Sequence, residues 1–200
     1  AFVGIAFALG FIFGPALGGI SAQWNLLDTW PSLAAYGVNP FSVPAAIAFV
    51  LSFLNFWSLL FRFKETLPKE KRGESHLQRS FNPLKLFSPL PYPGVNLTNF
   101  SHFLFLSAFS GMEFTLTFLA FERLGYSPMD NAYMFIFIGF VLAMVQGGLV
   151  RRKASQIGER KMALMGLVSV VPGLVLIGFA QSSFMIYFGL FFLAVGSAMA

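Results

Sequence analysis

The sequence predicts an all-α, multi-pass membrane protein, and three observations carry that prediction. The first is composition: 56% of the 200 residues are apolar, 18% aromatic and only 10% charged. A water-soluble surface draws on about 25–35% Lys, Arg, Glu and Asp. This chain therefore excludes a soluble enzyme and a soluble binding module, and its mean hydropathy of +0.73 excludes a disordered protein. The second is the length of the apolar runs, residues 1–20, 45–63, 97–121, 131–150, 162–180 and 184–200. Each is close to the ~20 residues with which a helix crosses a bilayer, and none alternates as the ~10-residue strands of a β-barrel do. The third is the placement of charge between them.

All but one of the 13 basic residues fall on one side of such a membrane. Arg62, Lys64, Lys69, Lys71, Arg72, Arg79 and Lys85 follow the second run, and Arg151, Arg152, Lys153, Arg160 and Lys161 follow the fourth. The opposite side holds Arg123 with Asp28, Glu122 and Asp130. The positive-inside rule makes the basic segments cytoplasmic, so the first span runs outward, and Trp24, Trp30 and Tyr36 suit an outer aromatic belt. The formal charge of +5 is thus spread over membrane-flanking loops, which predicts the lipid bilayer and no nucleic acid as partner. There is no cysteine, and histidines 26 residues apart make no zinc site. No nucleophile–base pair or phosphate-cradling loop is recognisable, so neither an enzyme nor a cofactor is expected. Both ends lie within apolar runs, without a starting Met or a basic flank, which reads as an interior piece whose first partner is the remainder of its own chain.

Residues 64–93 mix charge with Gly73 and five prolines, which reads as a linker. Within it, 77–87 carries apolar positions with basic neighbours, as a short interfacial helix would, although Pro83 limits that helix. Asn96-Leu-Thr98 and Asn99-Phe-Ser101 match a glycosylation pattern but fall at a cytoplasmic helix end, so neither is an acceptor.

The first span contains Gly10-Phe-Ile-Phe-Gly14-Pro15-Ala-Leu-Gly18-Gly19. Gly10, Gly14 and Gly18 form a bare stripe against which another helix can pack closely, the bland reading of such a pattern. Pro15 lacks the donor to the Phe11 carbonyl and favours a bend. The whole pattern resembles the antiporter motif, G-x-x-x-G-P-x-x-G-G, on the fifth helix of the major facilitator superfamily. Further along, Glu65-Thr66-Leu67-Pro68 is similar to the ending of that family's sixth helix. Gly125-Tyr126-Ser127-Pro128 is similar to the approach to its eighth, with Ser127 as N-cap, Pro128 as first helical residue and Asp130 as acidic partner. Gly147-Gly148 through Arg151, Arg152, Gly158, Glu159, Arg160 and Lys161 is similar to the basic motif between helices eight and nine, a cytoplasmic gating loop. It departs from the pattern in having Arg152 where an Asp usually stands. The plain alternative for these arginines is a positive-inside loop.

The resemblance implies six transmembrane helices, five to ten, of a twelve-helix fold. Residues 1–63 would be the last two helices of the N-terminal bundle, 64–95 the cytoplasmic central linker and 96–200 the first four helices of the C-terminal bundle. Residues 110–119, Ser-Gly-Met-Glu-Phe-Thr-Leu-Thr-Phe-Leu, resemble the tetracycline-transporter-like branch, which implies drug or organic-ion antiport.

Glu113 is the energetic anomaly of the third span. A lone acid at such depth costs about 2.5 kcal/mol or more, so it is expected to face protein or water and mark a pathway. At 3.6 residues per turn, Asn99, His102, Ser110, Glu113 and Thr117 fall within about 80° of arc, which describes a cavity wall better than a lipid surface. Glu113 is the first candidate for proton coupling and His102 the second. Their plain alternatives are an interhelical contact for Glu113 and a surface role for His102. Gln146 and Asn55 are either further cavity hydrogen-bonders or interhelical contacts. Pro172-Gly173 marks an expected flexure.

Secondary active transport of a small organic compound, with protons as the coupled ion and antiport as its mode, is the function this pattern implies. A facilitator or symporter of the same fold, and a receptor or scaffold that does not transport, remain the alternatives.

Overall fold

The computed structural model describes residues 2–63, 92 and 94–200, which are mostly helical with no strand among them. Helix α1 (Phe2–Ser21) is followed by a short α2 (Leu26–Thr29) and a 3-10 turn, Pro31–Tyr36. Then come α3 (Ser42–Arg62) and α4 (Val95–Leu124). Helix α5 (Pro128–Met144) continues through a π-helical turn, Val145–Val150, into α6 (Arg151–Ile157), and α7 (Glu159–Gly178) and α8 (Ser183–Met199) complete the chain. A helix stands at each of the six predicted spans. Among the described residues α3, α4, the continuous Pro128–Ile157 and α7 are long and apolar enough to cross a membrane. Two further apolar helices are α1 with 20 residues and α8 with 17. At 1.5 Å per residue the 30-residue α4 is about 45 Å long, enough for hydrocarbon and headgroups together. The linker read over 64–93 and the interfacial helix over 77–87 lie outside the described residues, apart from Tyr92.

One expectation is corrected. The basic stretch after the fourth span is not a loop: α6 carries Arg151 and Arg152, Gly158 alone turns the chain at φ 86°, and Glu159, Arg160 and Lys161 open α7. Arginine and lysine are good helix formers, and only Gly takes a positive φ without strain, so the break falls at Gly158. Pro172 and Gly173, where a flexure is expected, lie inside a continuous α7. Gly173 is buried against α8.

The capping motif before α5 forms as its residues predict. Ser127 Oγ accepts from Asp130 N at 3.2 Å, and Asp130 Oδ2 accepts from Ser127 N at 2.9 Å and from Ser127 Oγ at 2.6 Å. Two orphan donors at the helix start are thereby satisfied.

The chain divides into two compact units, Ala1–Ala46 with Ala108–Ala200, and Ile47–Ser107. In the first, α1 packs on α5, α5 on α8 and α7 on α8. Leu116, Met134, Ile138, Ile186, Leu190 and Leu193 fill its core. The α7–α8 crossing is built on glycine: a Cβ on Gly166 would stand 2.6 Å from the Gly196 carbonyl, and one on Gly173 2.9 Å from the Gly189 carbonyl. Seven residues are two turns, so each pair lies on one face of its helix. Ser169 Oγ donates to the Phe192 carbonyl between them at 3.0 Å. In the second unit Phe49, Phe53, Trp57 and Phe61 stack at i, i+4 spacing along α3, with ring centroids 6.2, 5.8 and 4.9 Å apart, all exposed. An apolar face of that kind is at home in lipid and out of place in water.

Candidate functional site

Helices α1 and α5 run antiparallel in close contact. A Cβ on Gly19 would lie 2.5 Å from Ala132 Cβ, and one on Gly139 3.1 Å from the Ala8 carbonyl. The glycine stripe lies elsewhere: around Gly10, Gly14 and Gly18 nothing among the described residues lies within 4 Å of an added Cβ. The reason is helical phase. Ala8, Ile12 and Gly19 share one face of α1, while the stripe lies about 140° round the helix.

Beside that contact runs a groove of about 560 Å³. Gly10, Phe11, Pro15, Gly18 and Gly19 of α1 form one wall, Pro128, Asn131, Ala132 and Phe135 of α5 another, and Glu113 projects from α4. Four of the antiporter-motif residues thus line the same groove as the intramembrane acid. The Phe11 ring bridges the walls, edge-on to Phe109 at 6.0 Å and tilted to Phe135 at 6.4 Å. Glu113 and Asn131 are the polar side chains among the lining residues, and the volume lies within the range of small-molecule sites. Glu113 is exposed and makes no hydrogen bond or ion pair among the described residues. Among the described residues it thus bonds to no neighbouring helix, and α4 turns Met112, Leu116 and Ala120 into the core instead.

A second groove of about 580 Å³ adjoins the first along Gly18, Gly19, Pro128 and Asn131. Thr117, Phe121, Tyr126 and Phe41 line its other side. The polar arc read along α4 is thus brought only partly to a cavity: Glu113 lines one groove and Thr117 the other, whereas Ser110 is exposed and lines neither. In the second unit Asn55, Asn99 and His102 are exposed, and the His102 ring lies 6.3 Å from Phe105. Gln146 falls in the π-helical turn with Gly147 and Gly148, and its Oε1 is buried without a partner among the described residues. Such turns recur at functional sites. At the Gly158 corner Arg151, Arg152, Glu159, Arg160 and Lys161 are exposed and form no ion pair among the described residues, so no charge relay is assembled there.

The family model of the Major Facilitator Superfamily matches residues 1–200, the whole chain. The chain belongs to the major facilitator superfamily. Membership makes it an integral, multi-pass protein of a transporter family rather than an enzyme. Major facilitator superfamily domain-containing protein 10 of Bos taurus is 34% identical over 189 residues, covering 84% of this chain and 37% of the relative. Multidrug resistance protein 2 of Bacillus subtilis is 25% identical over 171 residues, covering 84% and 38%. The crystal structure of the human organic anion transporter MFSD10 (TETRAN) matches with a TM-score of 0.64 at 30% identity, over 98% of this chain and 46% of that one. This chain therefore spans less than half the length of each.

Two residues of this facilitator chain escaped sequence reasoning. Asn131 looks like the first polar position of a span, and only the fold sets it between two grooves. Arg123, the one basic residue of the opposite side, donates from Nη1 to the Gly178 carbonyl at 2.8 Å and the Ala180 carbonyl at 3.2 Å. A guanidinium on the open carbonyls of a helix C-terminus satisfies them and complements the dipole. Arg123→Gln is expected to loosen the α4–α7 tie by about 1 kcal/mol, seen as a lower thermal midpoint in detergent with the helical circular-dichroism signal unchanged. An unaltered midpoint would remove Arg123 from the framework.

Proposed function

We propose that this chain is the central part of a secondary transporter that moves a small organic compound by alternating access, driven by proton exchange at Glu113. The supporting observation is the groove between α1, α4 and α5, which gathers Glu113, the glycine-flat wall of α1 and the aromatic rings of Phe11 and Phe135. Residues 1–63 are then the end of one bundle, 64–95 the cytoplasmic connection and 96–200 the start of the next. The α1–α5 contact becomes the seam between bundles, and rocking along it admits solute to either side. Gly19 against Ala132 closes the seam at its outer, Trp24-side end. Gly10, Gly14 and Gly18 leave room for solute beside α1, and Arg151, Arg152, Glu159, Arg160 and Lys161 at the Gly158 corner steer and gate the cytoplasmic side. Gln146, Thr117 and Ser110 supply polar contacts as α4 and α5 move. Asn99, Asn55 and His102, nearer the cytoplasmic ends of their helices, meet solute or protons there.

The mode of coupling follows from charge. A cationic or neutral drug competes with a proton for one carboxylate, which yields antiport and efflux, the mode implied by the antiporter motif and the tetracycline-transporter-like stretch. An anion shares the groove with Glu113 only when that carboxyl is protonated, which yields symport. The 30% identity to an organic anion transporter favours this second reading. The full-length protein in liposomes, offered ethidium or fluorescein under imposed pH gradients, separates them. Ethidium accumulation in acid-interior vesicles identifies antiport, and fluorescein accumulation in alkaline-interior vesicles identifies symport. Flux indifferent to pH identifies a facilitator, and the absence of carrier-dependent flux with either probe argues for a receptor or scaffold.

A further inference from the structure

We infer that Asn131 is a positioning residue of the outer gate: its side-chain carbonyl is stranded when α1 closes on α5, and this sets how readily the gate reopens. The inference rests on the alternating-access reading above. Three observations support it.

The orientation of the amide is fixed, because Asn131 Nδ2 donates to the Ser127 carbonyl at 3.2 Å and only the nitrogen end of the amide can do so. Oδ1 therefore points elsewhere, and there it is buried with no hydrogen-bond partner among the described residues. Finally, Asn131 sits on the wall shared by the two grooves, next in sequence to Ala132, against which Gly19 of α1 closes.

A buried acceptor without a donor retains its desolvation cost, whereas the same acceptor facing water or a solute hydroxyl or N–H does not. The cost falls on the closed arrangement alone. Tight glycine packing between α1 and α5 favours closure, and Asn131 opposes it from the adjacent position, so neither arrangement becomes a trap. A leucine, with the same branching and number of side-chain heavy atoms, removes the stranded atom and favours closure. An aspartate strands a charge in its place and favours opening.

The test uses Ala132→Cys as reporter in full-length protein with every other cysteine replaced, labelled from outside by a membrane-impermeant maleimide. Ala132 is 3% exposed in the closed arrangement, so its labelling rate reads opening. Asn131→Leu is expected to slow labelling roughly tenfold and Asn131→Asp to speed it, with the thermal midpoint of the leucine variant unchanged or raised. Both substitutions remove the bond to the Ser127 carbonyl, so a merely structural role for that bond moves both rates in the same direction. Rates that move together, or do not move, overturn the inference while the gate itself stands. A reporter that never reacts, under any gradient or solute, overturns the outer gate and the role of Asn131 with it.

Discussion

Glu113→Gln is expected to abolish accumulation driven by a pH gradient while leaving the protein folded. A one-to-one proton exchange converts each pH unit, about 1.4 kcal/mol, into at most a roughly tenfold concentration ratio of solute. The wild-type protein should approach that ratio and the glutamine variant should equilibrate near one. Glutamine preserves shape and hydrogen bonding but carries no titratable proton. Because Glu113 is exposed to the groove and bonded to nothing among the described residues, its replacement breaks no packing. Glu113→Asp keeps the acid one methylene further back and should retain coupling at a reduced rate. Gradient-driven accumulation at full ratio in the glutamine variant would move the proton site elsewhere.

Gly166→Val and Gly196→Val are expected to produce the largest loss of stability. At both positions the nearest atom to an added Cβ is a backbone oxygen 2.6 Å away, so no rotamer change in a neighbour relieves the clash. Overpacking a well-filled core costs about 1–3 kcal/mol, and forcing two backbones apart exceeds the upper end of that range. These variants should fail to yield monodisperse protein or should melt well below wild type. Gly10→Ala and Gly18→Ala form the comparison set, since both glycines line the groove and an added methyl there meets nothing within 4 Å among the described residues. They should fold normally and alter flux instead. If the two sets destabilise equally, the difference between packed and groove-facing glycines is wrong.

Different parts of this molecule were legible to different degrees. The helices were plain because each span signals itself locally, by apolar length and by punctuation such as the Ser127–Asp130 capping box. Gly158 also marks its own turn, but the basic residues before it look equally at home in a loop or a helix, so composition alone does not reveal α6. Glu113 stood out because a carboxylate in an apolar run is costly wherever the run packs. Spacing placed Asn99, His102 and Ser110 on its face, yet a shared helical face does not specify which stretch of it a cavity reaches, and only Thr117 joined Glu113 as a groove-lining residue. The glycines are ambiguous for a related reason: a repeat of four identifies a bare stripe without saying whether a helix or a groove lies against it.

The sequence by itself determined that this chain is helical, spans a membrane several times and carries one acid out of place, since those properties follow from composition and short-range order. Only the tertiary structure decided which glycines are contacts, that Asn131 stands between two grooves, and that Arg123 caps α7. Each of those depends on residues far apart in the chain meeting at a particular rotation of two helices, and that rotation is fixed by the fit of many side chains at once.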